Sequence, residues 1–327
     1  MATSDLEGPA VRADIWPSLP LEAWQDTYAT LHMWTQIVGK IRLVQTPWFN
    51  HSWHVTFEVT PRGLRTPPIP HGTRTFQMEF DFVDHQLVIQ DSDADQRSIA
   101  LRPCAVADFY SEIMATLREL RLPVHIHTKP NEIEAPIPFE QDHVHAAYDP
   151  DYANRLWRIL LQADRVLKTF RARFGGKSSP VHFFWGSFDL AVTRFSGRPA
   201  PPHPGGVPNL PDWVTRDAYS HEVSSAGFWP GGGPIPYPAF YSYAYPEPPG
   251  FKDARVRPES AFYSGALREF FLPYDAVRQA ESPDDMLLEF FQSTYEAAAT
   301  LGGWDRPSLE RPVSTTGRAT GHVERSA

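Results

Sequence analysis

The sequence has little cysteine, no long apolar run and no cluster of basic residues, and each absence argues against a class of protein. The lone cysteine among 327 residues, Cys104, cannot form an internal disulfide or a cysteine-rich zinc site, so we expect a reducing, cytoplasmic location. Without about 18 consecutive apolar residues we expect no membrane-spanning helix. The first eight residues lack the basic and apolar segments of a secretory signal. A net charge of -9 without clustered Lys and Arg argues against a nucleic-acid partner.

Familiar catalytic signatures are missing as well. The chain contains no G-x-G-x-x-G, Walker, H-E-x-x-H or G-x-S-x-G motif, so we predict no cofactor, and nothing in the sequence indicates the oligomeric state. What is present is apolar material, since 42% of the residues are hydrophobic and 13% are aromatic. This composition predicts a large folded core.

Hydrophobic spacing predicts a first half over residues 15–128. A helix is expected to begin near Ser18, followed by strands near 38–45 and over 52–60 and 74–82, further strands, and a helix over 106–121. Apolar and polar residues alternate strictly in the two longer segments. This alternation is typical of an antiparallel sheet with one buried face.

The second half repeats this order over residues 151–304, after a connecting segment at 129–150. A helix capped by Asp149 is followed by strands near 181–195, 219–228, 239–245 and 267–272, and a last helix begins at Ser282. We therefore predict an α+β fold with duplicated helix–antiparallel sheet–helix halves in pseudo-two-fold packing. An unduplicated α+β chain of this length gives the same order. The polar ends, 1–14 and 305–327, are predicted to be disordered.

Most of the 33 prolines fall in a few loops of the chain. Three irregular stretches, 196–218, 229–238 and 246–260, combine proline or glycine with aromatic residues. Long loops inside a compact protein often carry function, and proline makes them stiff. We expect these loops to be rigid walls of a site.

Several motifs resemble those of an uncharacterised bacterial protein family of unknown function. The longest reads HFFWGSFDLAVTRFSGR over 182–198, and the next reads SHEVSSAGFWPG over 220–231. The sequences KPNE at 129–132 and IPF at 137–139 also match. The resemblance covers about residues 15–304 and implies no particular activity.

The first motif supplies the main candidate site residues. If 182–195 is one strand, Trp185, Asp189 and Thr193 share a face, while Arg194 ends the opposite, apolar face. Asp189 is a candidate base, Trp185 a stacking group, and Arg194 with Arg198 a candidate anion clamp. A solvated sheet face with an ion pair explains the same pattern.

The second motif adds His221, a candidate acid or base near neutral pH, although a partly buried structural histidine is the more common case. Trp229 and Tyr245 are candidate substrate contacts. Tyr245 shares a strand face with Tyr241 and Tyr243, and these rings form either a pocket floor or core packing.

A metal site is a weaker hypothesis. The pairs His125 with His127 and His143 with His145 have a spacing that places two rings on one face of a strand, and Glu132 and Asp142 lie nearby in sequence. Solvated histidines are the default interpretation.

Three functions follow from these candidates. The leading one is a small-molecule enzyme of hydrolase or transferase type, or a ligand-binding protein, with its cleft between the halves. The alternatives are a non-catalytic protein-interaction module that uses exposed aromatic loops, and a metal-dependent enzyme. A concave pocket near Trp185 favours the first, and a flat apolar surface favours the second.

Overall fold

A computed structural model describes residues 15–311 of the chain, and within this range the α+β class is confirmed. The described residues form seven α-helices. In chain order these are α1 (Gln25–Gln45), α2 (Val106–Glu119), α3 (Pro150–Ala172), α4 (Asp212–Ala218), α5 (Tyr274–Arg278), α6 (Pro283–Leu301) and α7 (Arg306–Leu309). None of them is long and apolar enough to cross a membrane.

The first sheet has six antiparallel strands: β1 (Glu58–Val59), β2 (Gly63–Arg65), β3 (Ile69–His71), β4 (Arg74–Asp81), β5 (Gln86–Asp91) and β6 (Gln96–Ala100). Their order is β1-β2-β4-β5-β6, and β3 also pairs with β4. The predicted alternation holds in β4, where Phe76, Met78 and Phe80 are buried and the residues between them are more exposed.

The second sheet also has six antiparallel strands: β7 (His182–Phe184), β8 (Asp189–Pro199), β9 (His221–Trp229), β10 (Ala239–Tyr245), β11 (Phe262–Ser264) and β12 (Glu269–Pro273). Their order is β7-β8-β9-β10-β12-β11. Each sheet follows a helix and precedes a helix, but the strand orders differ. The duplication and its pseudo-two-fold packing therefore remain a prediction.

The two halves share one apolar core, which runs from α1 to α6. Phe57, just before β1, exchanges backbone hydrogen bonds of 2.9 and 2.8 Å with Phe183 of β7. Trp157 of α3 donates its indole N–H to the carbonyl of Thr60, 3.0 Å away. These contacts join the residues on either side of β1 to β7 and to α3.

Local signals explain where the long helices of the second half begin. Asp149 accepts hydrogen bonds from the backbone N–H groups of Asp151 and Tyr152, and Pro150 occupies the first turn, as predicted. At α6, the Ser282 hydroxyl donates to the Asp285 carboxylate at 2.6 Å and makes no cap to the backbone.

Three predicted elements are wrong in part. The strand near 38–45 is the end of α1, whose helical spacing buries Ile37, Val38 and Ile41. Of 52–60, only β1 is a strand, and the segment begins in a short 3-10 turn in which His51 and Ser52 both have φ 60°. The segment 181–195 is broken at 185–188 by a turn in which Phe188 has φ 58°.

The structure describes the first seven residues of the predicted C-terminal tail and none of the predicted N-terminal tail. Residues 1–14 and 312–327 lie outside the described residues. Residues 305–311, in contrast to the prediction, are part of the folded body. They form α7, Leu309 accepts a 2.6 Å hydrogen bond from Gly175, and Arg311 donates to the Arg173 carbonyl at 3.0 Å.

Candidate functional site

A cavity of about 730 Å³ lies between the segments of the two predicted halves. The first half contributes the end of α1, residues 48–55 and His127, and the connecting segment contributes Asn131 and Glu132. The second half contributes the face of β8, β9 and β10, the 185–187 turn and residues 207–219. The lining combines aromatic and aliphatic side chains with polar and charged groups, among them Lys40, Glu132 and Asp189.

Strand register builds the base of this cavity. Asp189, Ala191, Thr193 and Phe195 alternate along β8 and face the cavity together. Thr193 pairs with Ser225 of β9, and their hydroxyls are 2.9 Å apart. Tyr241 and Tyr243 of β10 continue the same face, since they pair with Gly227 and Ser225.

Asp189 is the first residue of β8 and is buried. Its carboxylate accepts hydrogen bonds from the hydroxyls of Ser187 and Tyr241. Burial raises the pKa of the Asp189 carboxyl, and these two hydrogen bonds partly oppose the rise because they favour the ionised form. Asp189 is therefore a buried acid held in one orientation.

Trp185 borders the same cavity. Its indole N–H donates to the Val55 carbonyl at 2.8 Å, and its ring packs against α1 at Gly39, where any Cβ would overlap it. Trp185 is thus fixed between the two halves and presents part of its ring to the cavity.

Glu132 is the site residue that the sequence analysis missed as an acid–base candidate. Its carboxyl is enclosed at the cavity beside Gly186, and it has no hydrogen-bond or ion-pair partner among residues 15–311. Burial, with a smaller contribution from the neighbouring charge of Asp189, raises the pKa of Glu132 to about 7. The structure thus holds two interacting carboxyl groups on one cavity.

The backbone around Glu132 is held on both sides. The Gln36 side chain of α1 donates to the carbonyl of Asn131 and accepts from its N–H, both at 2.8 Å. The N–H of Glu132 donates to the Pro208 carbonyl at 2.8 Å. The position of the carboxyl is therefore set by α1 and by the proline-rich 196–218 loop.

Lys40 is the buried cation of the cavity wall. Its ammonium donates to the Asn131 amide oxygen, which is a neutral acceptor. Burial lowers the pKa of Lys40 to about 8.

Exposed aromatic side chains mark the mouth of the cavity. Trp48 and Trp213 are 39% and 54% exposed, and their ring centroids are 4.5 Å apart. Asp217 of α4 accepts from the Trp48 indole at 3.1 Å and from the His51 N–H at 2.9 Å. Helix α4 is thereby attached to the first half across the mouth.

Comparison with known proteins gives one match. The model of a family of unknown function, DUF5996, matches residues 16–311. The chain belongs to this family. No curated protein and no solved structure matches it significantly. The DUF5996 assignment agrees with the resemblance to an uncharacterised family, and it brings no activity or site with it.

In this DUF5996 chain, the structure brings Trp185 and Asp189 to one cavity but leaves His221 away from them. Leu190, next to Asp189, pairs with Phe228, which is seven residues along β9 from His221. At about 3.3 Å per residue, this separation exceeds about 20 Å. His221 does not line the cavity, and its ring lies 3.1 Å from the Ser220 hydroxyl. Asp189 and His221 are therefore not an acid–base pair.

The two arginines have other partners. Arg194 is 1% exposed and lies on the opposite face of β8, where it donates to the Phe170 carbonyl and packs on the rings of Phe170 and Tyr295. Arg198 donates to Glu222 at 2.8 Å and to the Gly302 carbonyl at the end of α6. Because the strand alternates its faces, neither guanidinium reaches the cavity.

The remaining predicted contacts also lie outside the cavity lining. Trp229 packs against a separate small apolar cluster that contains Ile235 and Tyr241. The Tyr245 hydroxyl donates to the Pro201 carbonyl at 3.0 Å, and its ring lies 5.0 Å from that of His203. Tyr241 and Tyr243, from the same strand face, do line it.

The four histidines of the metal hypothesis do not share a strand. His125, His127 and His143 are exposed in non-strand segments, and the His145 ring nitrogen Nδ1 donates to the Asp142 carboxylate at 2.7 Å. His127 alone borders the cavity. Within residues 15–311, no three His, Cys, Asp or Glu side chains converge in a metal-binding arrangement.

One of the three proline- and glycine-rich loops lines the cavity. Loop 196–218 supplies Val207, Leu210 and Pro211, together with α4. Loop 246–260 instead borders a separate surface depression of about 1010 Å³. Loop 229–238 does not contribute to the cavity lining.

Proposed function

We propose that the protein binds a small organic molecule in this cavity and acts on it by acid–base catalysis, in a hydrolysis or group-transfer reaction. The observation that carries the proposal is the Glu132 carboxyl, which is enclosed, unpartnered among residues 15–311, and beside Asp189 in an aromatic cavity. A buried polar group without a partner is costly, so it is typically kept for a role.

The pKa of Glu132 suits proton transfer. A general acid or base works best when its pKa lies near the working pH, and burial raises the pKa of Glu132 to about 7. Asp189 is held by Ser187 and Tyr241 and is the more ordered of the two acids. We assign Glu132 as the group that exchanges a proton with the ligand, and Asp189 as the group that orients it.

The cavity volume is in the range of sites for small organic ligands. The Trp185, Tyr241 and Phe184 rings supply the apolar contact area. A concave site supports this function over the interaction module, which needs a flat surface. The exposed Trp48 and Trp213 belong to the mouth of the same cavity and serve as a ligand entrance in this proposal.

The test is depletion of a metabolite extract, followed by mass spectrometry, with the wild type and two variants. Glu132→Gln removes the proton-exchanging group, and we expect it to lower turnover by about 10²- to 10⁴-fold. Glu134→Gln is the matched control, because Glu134 is exposed two residues away. Equal turnover by all three proteins would refute the role of Glu132.

A further inference from the structure

Among residues 15–311, the acidic groups on this cavity form no ion pair with Lys, Arg or His, and the nearby Lys40 donates to Asn131 instead. We propose that the ligand carries a protonated amine or another organic cation, which lies between the Glu132 and Asp189 carboxyl groups. This inference rests on the proposed function in one respect only, namely that the cavity holds a small organic molecule.

The charged groups around the cavity favour a cationic ligand. Among residues 15–311, no Lys, Arg or His forms an ion pair with Glu132 or Asp189. A third acid, Glu269 of β12, lies close enough to interact with Asp189, and burial raises its pKa to about 8, so it is mostly protonated at pH 7 and supplies no positive charge. Lys40 borders the same cavity but donates to Asn131. A cation from outside the chain would complete these interactions.

The aromatic lining of the cavity independently favours an organic cation. Phe184, Trp185, Tyr241 and Tyr243 border the cavity beside the two acids. The faces of such rings attract cations, and they also contact the hydrocarbon part of an organic cation. Acidic groups next to aromatic rings therefore favour an organic ammonium over a small hydrated metal ion, which makes no use of apolar walls.

The raised pKa values of Glu132 and Asp189 give a further way to detect a cationic ligand. Burial and mutual repulsion keep a proton on the Glu132 and Asp189 pair to higher pH than is usual for carboxyl groups. A bound cation favours the ionised form of both acids. Binding of an amine near pH 7 should therefore release a proton into the buffer, whereas binding of a neutral ligand should not.

The experiment uses three probes of similar size and different charge: 2-phenylethylamine, 2-phenylethanol and phenylacetate. Their binding to the full chain is measured by calorimetry at pH 7 in two buffers of different ionisation enthalpy. We expect the amine to bind about tenfold or more tightly than the alcohol, which corresponds to about 1.4 kcal/mol. We also expect proton release on amine binding only, and phenylacetate to bind most weakly.

The variants separate the cavity from other binding surfaces. Glu132→Gln and, as a second variant, Asp189→Asn should each reduce the preference for the amine, and Glu132→Gln should abolish the proton release. Glu134→Gln should leave both unchanged, because Glu134 is exposed.

Each outcome decides the inference. Equal or tighter binding of the alcohol, tighter binding of phenylacetate, or no binding of the amine overturns it. If the amine binds as expected but no variant changes the turnover of any metabolite, the ligand class stands and the catalytic proposal fails. If turnover depends on Glu132 but the amine binds no more tightly than the alcohol, the catalytic proposal stands and the proposed ligand class is wrong.

Discussion

Replacing Glu132 by Gln should stabilise the protein at alkaline pH and have little effect at acidic pH. Its folded pKa of about 7 lies above its ordinary value of 4.5. The native state then holds the proton more tightly than the unfolded chain, so stability falls as the pH rises from about 4.5 to about 7. Gln has nearly the same shape, does not ionise and avoids this loss.

The expected magnitude follows from the same pKa values. Each tenfold change in an acid constant is worth about 1.4 kcal/mol, so raising the pKa from 4.5 to about 7 corresponds to about 3 kcal/mol. Between pH 5 and pH 8, about 2 kcal/mol of this should appear as a difference between wild type and Glu132→Gln. This magnitude already includes the repulsion between Glu132 and Asp189, because that repulsion is one of the causes of the raised pKa.

The assay is urea denaturation of both proteins at several pH values from 5 to 8. Taking the difference between two proteins cancels the titration of groups that they share. Glu134→Gln is the control and should show a small difference from wild type that does not change with pH. A difference between wild type and Glu132→Gln that stays constant over this range would refute the argument that the Glu132 carboxyl is desolvated and has no partner among residues 15–311.

Three further substitutions test the surroundings of the cavity. Tyr241→Phe removes a donor to the buried Asp189 and should cost about 1.5–3 kcal/mol of unfolding free energy at pH 8, measured by urea denaturation. Gly39→Ala places a Cβ where the Trp185 ring lies and should cost about 1–3 kcal/mol, with a change in tryptophan fluorescence. Arg194→Ala should lower the unfolding free energy by about 3 kcal/mol, since it opens a core cavity, and should leave binding of 2-phenylethylamine unchanged.

Controls for these substitutions come from the same chain. Tyr237→Phe removes a partly exposed hydroxyl, and Gly265→Ala adds a Cβ in open space, so both should change stability by less than about 0.5 kcal/mol. Loss of amine binding in Arg194→Ala, with its fold retained in circular dichroism, would restore a ligand role for this guanidinium.

Sequence periodicity predicted helices and strands well where one face of the element is buried and the other is open to solvent. Strand β4 alternates because its other face is partly open, and α3 begins at Pro150 because the Asp149 cap and this proline act locally. The segment 52–60 alternates equally well, yet most of it is not a strand. Residues 54–57 are buried whichever way their side chains alternate, so the polar–apolar pattern there does not report on the backbone.

Part of the candidate site was predictable from sequence, and part was not. Trp185 and Asp189 do share an environment, but a turn at 185–188 brings them together and not a continuous strand. Glu132 lies in an aperiodic loop whose position depends on Gln36 and Pro208, which are distant in sequence. The KPNE motif at 129–132 is the signal that marked this loop, and it does not show that the carboxyl is buried.

Two close contacts explain why the acids and the indole meet where the halves join. Gly39 lets the Trp185 ring lie directly on α1, and Gly186 lets the Glu132 carboxyl approach the turn, since a Cβ at either position would overlap its neighbour. The turn therefore contacts α1 on one side and the 129–132 loop on the other. This arrangement is too tightly packed to be a solvated surface turn. It also places Glu132 beside Asp189, and the repulsion and desolvation of these two acids lower the unfolding free energy. A ligand offsets that cost only while it is bound. The pH dependence of the unfolding free energy and the dependence of affinity on ligand charge therefore both measure the interaction between Glu132 and Asp189.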